Sequence, residues 1–279
     1  MISESIRVKK NETVDVITPT LNAEKFIEQC LLSTKRLRGS LFNHLIVDSG
    51  SVDETRAIAN AHQVNSIYCL PGNMYKAINY GISETESDWV TYINSDDMLY
   101  CDAIMSALEE GCDDCDVIYG NIDYINSDGM FLHHWRSATP KMLGGLFANS
   151  IMPISQPGTL FRRSLWEKLG GFREKYKYSA DFDFFLRAFA SGARFRYFDK
   201  KPFAAFRIHD EQISNNYSEA MYAESRHAIS DTRLKISDFE MRFTKFLMRR
   251  RNINSYLVRF LRHQHLYQKF HLSKTISIS

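Results

Sequence analysis

The opening segment alternates between short apolar runs of strand character and apolar positions at helical spacing, and each switch between the two marks an element. Val14 to Thr18 is a β-branched run that predicts a strand stopping at Pro19, with Asn22 placed to cap a helix whose Phe26, Ile27, Cys30 and Leu31 share one face. Leu45 to Val47 predicts a second strand, Asp48-Ser49-Gly50-Ser51 its turn, and Asp53-Glu54-Thr55 the start of a helix reaching about Ala61. A third strand spans Asn65 to Leu70, a helix Met74 to Ile82, and a fourth strand starts at Trp89. Strands separated by helices at this spacing imply a parallel, doubly wound sheet with right-handed crossovers. The fourth strand turns abruptly polar at Asn94, and a helix from about Cys101 to Glu110 follows.

Beyond Asp116 the pattern changes. Asp116 to Tyr119 and Ile122 to Ile125 read as strands, and Asn126-Ser127-Asp128-Gly129 is a hairpin turn leading into Met130 to Trp135, so the second half of the sheet is expected to be mixed. Thr139 to Asn149 reads as helix, Gly158 to Arg162 as extended, and Ser164 to Leu169 as a short helix closed by Gly170-Gly171. In the helix from Ala180 to Ser191, Phe182, Phe185, Leu186 and Phe189 form an inward face that leaves Asp181 near the N-terminus. Phe195 to Phe198 and Ala204 to His209 are strand-like, and residues 217 to 279 are helical and increasingly basic.

Composition narrows the class without identifying it. The chain has 279 residues, 44% of them hydrophobic, enough for one main core plus an appendage, read as 1–215 and 216–279. Its net charge of +2 is too small for a dedicated nucleic-acid binder. Five cysteines in no framework pattern fit a reducing cytosol, and no window has the length and apolarity of a transmembrane span. Cys112-Asp113-Asp114-Cys115 with His133 and His134 departs from the common zinc spacings, and a zinc site is not expected there.

Three carboxylate sites fall at strand ends or a helix start, where an open α/β sheet gathers ligands: Asp48, Asp96 with Asp97, and Asp181. Asp96 and Asp97 cannot both stay ionised at close range without a cation, which a divalent metal carrying a phosphorylated ligand would supply. Equally, either residue can cap the helix near Cys101, and Asp181 can cap the helix at Ala180.

Thr18-Pro19-Thr20-Leu21-Asn22, Val47-Asp48-Ser49-Gly50-Ser51-Val52-Asp53-Glu54-Thr55, Asn94-Ser95-Asp96-Asp97 and Ser179-Ala180-Asp181-Phe182-Asp183 with Leu186-Arg187 occur in the order and spacing of a known family. Over about the first 210 residues the chain resembles the family 2 inverting glycosyltransferases, which implies the GT-A fold: a Rossmann-like, doubly wound mixed β-sheet flanked by helices, here with a helical basic C-terminal extension. The resemblance implies that Pro19, Thr20, Asn22 and Asp48 hold the base and ribose of a nucleotide-sugar donor. It places Asn94 and Ser95 beside the ribose, Asp96 as the last carboxylate of the metal-binding motif, and Asp97 as an orienting or water-mediated ligand. Magnesium or manganese is the implied metal. Asp181 takes the place of the base that deprotonates an acceptor hydroxyl. Lys76, in Met74 to Gly81, would meet a phosphate, and His209, in a closing segment with Ser214, the metal or diphosphate. Gln156 and Trp166 would shape the acceptor side. Two departures stand out: Asn94 replaces the usual first Asp of the metal motif, and Ala180 replaces the Glu that often precedes the base.

The implied activity is transfer of a hexose-type sugar, from a UDP-sugar before other donors, to a hydroxyl of a glycan or lipid-linked saccharide in bacterial polysaccharide or lipopolysaccharide assembly. The alternatives are a non-catalytic nucleotide-binding or membrane-associated subunit, which Asn94 and Ala180 would favour, and a nucleotidyltransferase, which the absence of glycine from Thr18 to Asn22 disfavours. Finally, Arg242, Lys245, Arg249, Arg250, Arg251, Arg259, Arg262 and Lys269 alternate with Phe243, Phe246, Leu247, Leu257, Val258, Phe260, Leu261 and Phe270. That alternation fits an anchor on an anionic membrane surface, and it fits equally a helical pair packed on the core with a solvated basic face. The expected setting is cytoplasmic, peripheral to the inner face of the membrane.

Overall fold

A computed structural model describes residues 13–36, 38, 41–111, 114–210, 212 and 217–263; Ser214, Cys112, Asp113, Lys269, Phe270 and the side chain of Arg262 lie outside the described residues. The apolar runs form β1 (Val14–Thr20), β2 (Phe42–Asp48), β3 (Asn65–Tyr68) and β4 (Trp89–Tyr92). They alternate with α1 (Ile27–Thr34), α2 (Thr55–Ala61) and α3 (Met74–Ser83). These four strands pair in parallel in the order β3-β2-β1-β4.

β1 does not stop at Pro19 but continues to Thr20, which pairs with Asp48. The Ile17 carbonyl, on the side where Pro19 would donate, accepts from Ile93 as β4 leaves the sheet, so the missing proline N–H forfeits no ladder bond there. Nor does Asn22 cap α1, whose N-cap is Phe26 without a side-chain bond.

β5 (Met98–Leu99), α4 (Cys101–Glu109), β6 (Val117–Ile125), β7 (Phe131–Trp135), α5 (Leu143–Ala148), β8 (Leu160–Arg162), α6 (Arg163–Leu169), α7 (Ala180–Ala190) and β9 (Phe195–Arg207) complete the main body. The sheet continues β4-β8-β6-β9-β5, with β8 antiparallel to β4 and β6, β7 antiparallel to β6, and β6 parallel to β9. Each of the two expected strand pairs around 116–125 and 195–209 is one continuous strand. The β6–β9 register shifts near Gly120 and Asn121, and that irregularity accommodates the break in pattern. Neither Asp96 nor Asp97 caps α4, which begins after Tyr100 with no side-chain cap.

The largest core layer packs α3, α5, α6 and α7 against one face of the sheet, with Tyr75, Tyr92, Phe161, Phe172 and Phe184 fully buried. The expected inward face of α7 is buried at Phe182, Phe185 and Leu186, while Asp183 and Arg187 are buried too, joined at 2.7 Å. His44 sits between the hydroxyls of Thr18 and Thr34 at 2.9 and 2.8 Å, and burial pushes its pKa down to about 3, keeping it neutral.

Three further helices, α8 (Ser218–Thr232), α9 (Asp238–Arg251) and α10 (Ile253–His263), lie on this body. Gly145 lets α9 approach α5: a Cβ there would come within 2.9 Å of the Glu240 carbonyl oxygen. Asn252 brackets Arg136, accepting from its N–H at 2.7 Å and donating to its carbonyl at 2.9 Å. Arg251 bonds the Ser137 carbonyl at 2.9 Å, and Arg259 lies over the rings of Tyr124 and Trp135. Core packing of the basic helices is therefore realised, with Arg251 half-buried against the body and Arg259 exposed but lying across the aromatic rings. No described helix is long and apolar enough to cross a membrane.

Candidate active site

β2, β1 and β4 are adjacent and parallel, so their C-terminal ends put Asp48, Thr20 and the Asn94–Asp97 turn along one edge of the sheet. Asp48 is buried, and its Oδ1 accepts from the N–H groups of Gly50 and Ser51 at 3.1 and 3.0 Å. Its Oδ2 accepts from the hydroxyls of Ser51 at 2.5 Å and Thr20 at 3.2 Å. Gly50, at φ +100°, makes the turn that points both N–H groups at one oxygen. Asn22, at φ +51°, joins this loop instead of a helix: its Oδ1 accepts from Val52 N–H and its own N–H donates to Ser51 Oγ. The first two strand ends thus form one braced ledge.

The Asp-Asp turn is braced from the far side of the sheet. Asp97 is fully buried; its Oδ1 accepts from Arg207 N–H at 2.9 Å while its Oδ2 has no hydrogen-bond partner, and burial, then neighbouring Asp96, pushes its pKa well above the usual carboxylate range. Arg207 is itself buried, and its guanidinium bonds the carbonyls of Asp96, Asn126 and Ser127 and Oε1 of Gln29, over the ring of Phe26. One cation therefore ties the turn, the β6–β7 hairpin and α1 together. His209 Nε2 lies 2.9 Å from Asp96 Oδ2. Asn94 Oδ1 is buried without a hydrogen bond.

Asp96 offers a hard oxygen donor of the kind that suits magnesium or manganese, flanked in sequence by the orphaned oxygens of Asn94 and Asp97, with the borderline nitrogen of His209 beside it. No group of three or more His, Cys, Asp or Glu side chains converges among the described residues, so such an ion would take the rest of its shell from a diphosphate and water. The residues present fit that division.

Asp181 stands in the first turn of α7, half-buried, and Ser179 is the N-cap, so Asp181 is not a helix cap. Its Oδ1 accepts from the Tyr75 hydroxyl at 3.0 Å and from Phe182 N–H at 2.8 Å; among the described residues its Oδ2 has no hydrogen bond. Burial raises its pKa, and those two hydrogen bonds work against the rise. Tyr75 reaches it from α3, across 106 residues of sequence. Glu224 of α8 accepts from three successive N–H groups, Lys177, Tyr178 and Ser179, each at 2.9 Å, and so fixes the strap entering the Asp181 helix. Tyr75 and Glu224 are not legible as site residues, and Arg207 is legible only as part of the closing segment Arg207-Ile208-His209. Tyr75 shares the buried phase of Ile78 and Ile82, and Glu224 lies in a segment whose pattern says only helix.

The softer candidates divide. Gln156 donates to the Tyr92 carbonyl at 2.8 Å, beneath the Asn94 turn. Trp166 donates to Asn79 Oδ1 at 3.3 Å, and Lys76 lines a groove of about 780 Å³ with Tyr68, Leu70, Tyr80 and Trp166. Another groove, about 710 Å³, surrounds Asp15 and Arg38 at the opposite strand ends, away from the carboxylates. His133 stacks on Tyr124 and His134 Nδ1 lies 2.8 Å from Asp123; Cys115 is disulfide-bonded, against the expectation of unpaired cysteines, while Cys30, Cys69 and Cys101 are free thiols.

Residues 15–170 match the family model described as Glycosyl transferase family 2, more than half of the chain. The chain belongs to that family. Among curated proteins, this glycosyltransferase is 28% identical over 187 residues to a PGL/p-HBAD biosynthesis glycosyltransferase of Mycobacterium tuberculosis, covering 64% of this chain and 70% of that one. It is 25% identical over 211 residues to an uncharacterized glycosyltransferase of Rickettsia typhi, covering 72% and 66%. Among solved structures it resembles residues 1–349 of S. aureus TarS in complex with UDP-GlcNAc (TM-score 0.59, 18% identity, 87% and 73% covered). It also resembles glucosyl-3-phosphoglycerate synthase of Mycobacterium tuberculosis in complex with Mn2+, UDP and glucosyl-3-phosphoglycerate (TM-score 0.56, 18% identity, 81% and 82% covered). The chain spans 43% of a longer TarS structure. These similarities establish the expected GT-A architecture, a mixed sheet with flanking helices.

Proposed function

We propose that this glycosyltransferase transfers a hexose-type sugar, with inversion, from a UDP-sugar to a hydroxyl of a glycan or lipid-linked saccharide during cell-surface polysaccharide assembly. It would work in the cytoplasm at the inner face of the membrane. The observation that carries the reading is Asp181: one oxygen is held by Tyr75 and Phe182, and the other keeps its lone pairs for a proton from outside. In this reading Asp181 Oδ2 takes the proton of the acceptor hydroxyl as the acceptor oxygen forms its bond to the anomeric carbon. The bond from that carbon to the diphosphate breaks on the opposite face, and the nucleoside diphosphate departs with its electron pair. A raised pKa makes Asp181 a stronger base than an exposed carboxylate, provided the pH is high enough to ionise it.

Pro19, Thr20, Asn22 and Asp48 form the ledge for base and ribose, Asn94 Oδ1 and Ser95 meet ribose hydroxyls, and Lys76 serves the phosphates. Asp96 would hold magnesium or manganese, with His209 beside it and Asp97 orienting the loop or a water ligand; the metal when bound offsets the diphosphate charge. UDP and Mn2+ in the neighbouring structures support that donor and metal class, and the name of the mycobacterial relative supports a biosynthetic acceptor.

The test is thermal stabilisation by a panel of nucleoside diphosphates and their sugars, each with and without manganese, followed by donor hydrolysis without acceptor. Metal-dependent stabilisation by UDP with slow UDP release is expected. Stabilisation without any release would favour the non-catalytic subunit, a reading that Asn94 and Ala180 keep specific.

A further inference from the structure

Seven of the fourteen exposed large hydrophobic side chains among the described residues lie between residues 239 and 260, on the two helices after α8. Thr244 and Met248 are the buried face of α9, and Asn252 and Ser255 are buried where α10 begins. The opposite face of α9 carries Phe239, Phe243 and Phe246, and α10 repeats the spacing with Ile253, Leu257 and Phe260; all six are 47% to 76% exposed. Spacing of i, i+4 and i+7 puts each triad on one stripe.

The two stripes are in phase. Asn252 N–H still bonds the Met248 carbonyl and Tyr256 N–H the Asn252 carbonyl, so helical bonding carries across the junction. The offset between Phe239 and Ile253 is nearly a whole number of helical turns. A stripe this long, left bare by a helix whose other face already packs, is a surface with a partner.

Its charge identifies the partner. Arg242, Lys245, Arg249 and Arg250 are exposed on α9 and form no ion pair among the described residues, and no acidic residue follows Glu240 anywhere in the sequence. A second copy of the chain would set this basic patch against itself about a two-fold axis, so like charges would face each other. An anionic lipid surface satisfies both components at once: phosphates take the cations and the acyl boundary takes the rings. We infer that the outward face of α9 and α10 is a docking surface for an anionic bilayer, with Phe239, Phe243, Phe246, Ile253, Leu257 and Phe260 entering the interface. This deepens the membrane setting proposed above and rests on none of the transfer chemistry.

The experiment is co-sedimentation of the full chain with phosphatidylcholine vesicles, alone or with about one-third phosphatidylglycerol. Donor hydrolysis and melting temperature are followed in parallel. Wild-type protein is expected to partition about tenfold or more in favour of the anionic vesicles, and added salt to weaken it. Phe243→Ser with Phe246→Ser is expected to lower partition about tenfold at unchanged melting temperature, since both rings are exposed. Arg242→Glu with Arg249→Glu is expected to abolish the preference for phosphatidylglycerol. Equal partition to neutral and anionic vesicles would overturn the inference, as would serine variants that bind like wild type. So would a wild-type dimer that the serine pair dissolves, because the face would then belong to a second copy. Hydrolysis lost with partition intact would count against the transfer reading alone.

Discussion

Asp48 and Asp97 both lie beyond parallel strands on one edge of one sheet, yet Asp48 accepts four hydrogen bonds from its own ledge while Asp97 accepts one and keeps an oxygen bare in the interior. Asp181 resembles Asp97 in this respect, with one oxygen engaged and one left over. A saturated carboxylate stabilises the loop around it, and its charge is already spoken for by local N–H and O–H dipoles. An unsaturated one is costly until something arrives to complete it. Hydrogen bonding therefore separates a saturated scaffold carboxylate from those with an oxygen to spare, where residue type does not.

That contrast breaks most sharply at Asp181. Asp181→Asn removes the proton acceptor but not the shape, and turnover is expected to fall about 100-fold or more with nucleotide stabilisation retained. Near-wild-type turnover would take Asp181 out of the mechanism. Arg207 comes next: removing it with Arg207→Met leaves three carbonyls and Gln29 without their donor in a dry site, and urea unfolding should show a loss of about 3 kcal/mol or more. Arg207→Lys should rescue little, since an ammonium cannot span those acceptors.

Ser51→Ala tests the saturated side. It removes one donor from Asp48 and one acceptor from Asn22, so stability should drop by roughly 1 kcal/mol, with a weaker UDP-induced melting shift as the ledge loosens. Tyr75→Phe is a finer probe. Its hydroxyl favours the ionised form of Asp181, so its loss should raise that pKa further and move the acid limb of kcat/KM to higher pH. A purely structural tyrosine would lower the plateau and leave the limb in place.

The smallest effect concerns Asp97. Its folded pKa lies above its unfolded value, so the folded state binds the proton more tightly. The contribution to stability is then greatest in acid and declines as pH rises through the raised pKa. Asp97→Asn keeps the acceptor for Arg207 N–H and cannot ionise, so its urea midpoint should depend less on pH above the usual carboxylate range.

Much of this protein follows from local pattern. The alternation of β-branched runs with apolar helical faces determined β1 to β4 and the helices between them, because each element buries its own face whatever its distant neighbours are. The polar breaks at Asp48 and Asn94 marked the shared edge proposed to take the donor, for the same reason: parallel strands carry their loops to one end. Tertiary structure alone decided the rest. Met98 and Leu99 become a strand only because β9 lies alongside, and Pro19 stays in β1 only because β4 has left. Asn22 braces a loop 30 residues away where its sequence suggested a helix cap. Tyr75 and Glu224 hold Asp181 and its approach from 106 and about 45 residues away. Which oxygen of a carboxylate is satisfied depends on donors brought in by other elements, and pairing across the fold leaves no periodicity in the chain for a reader to find.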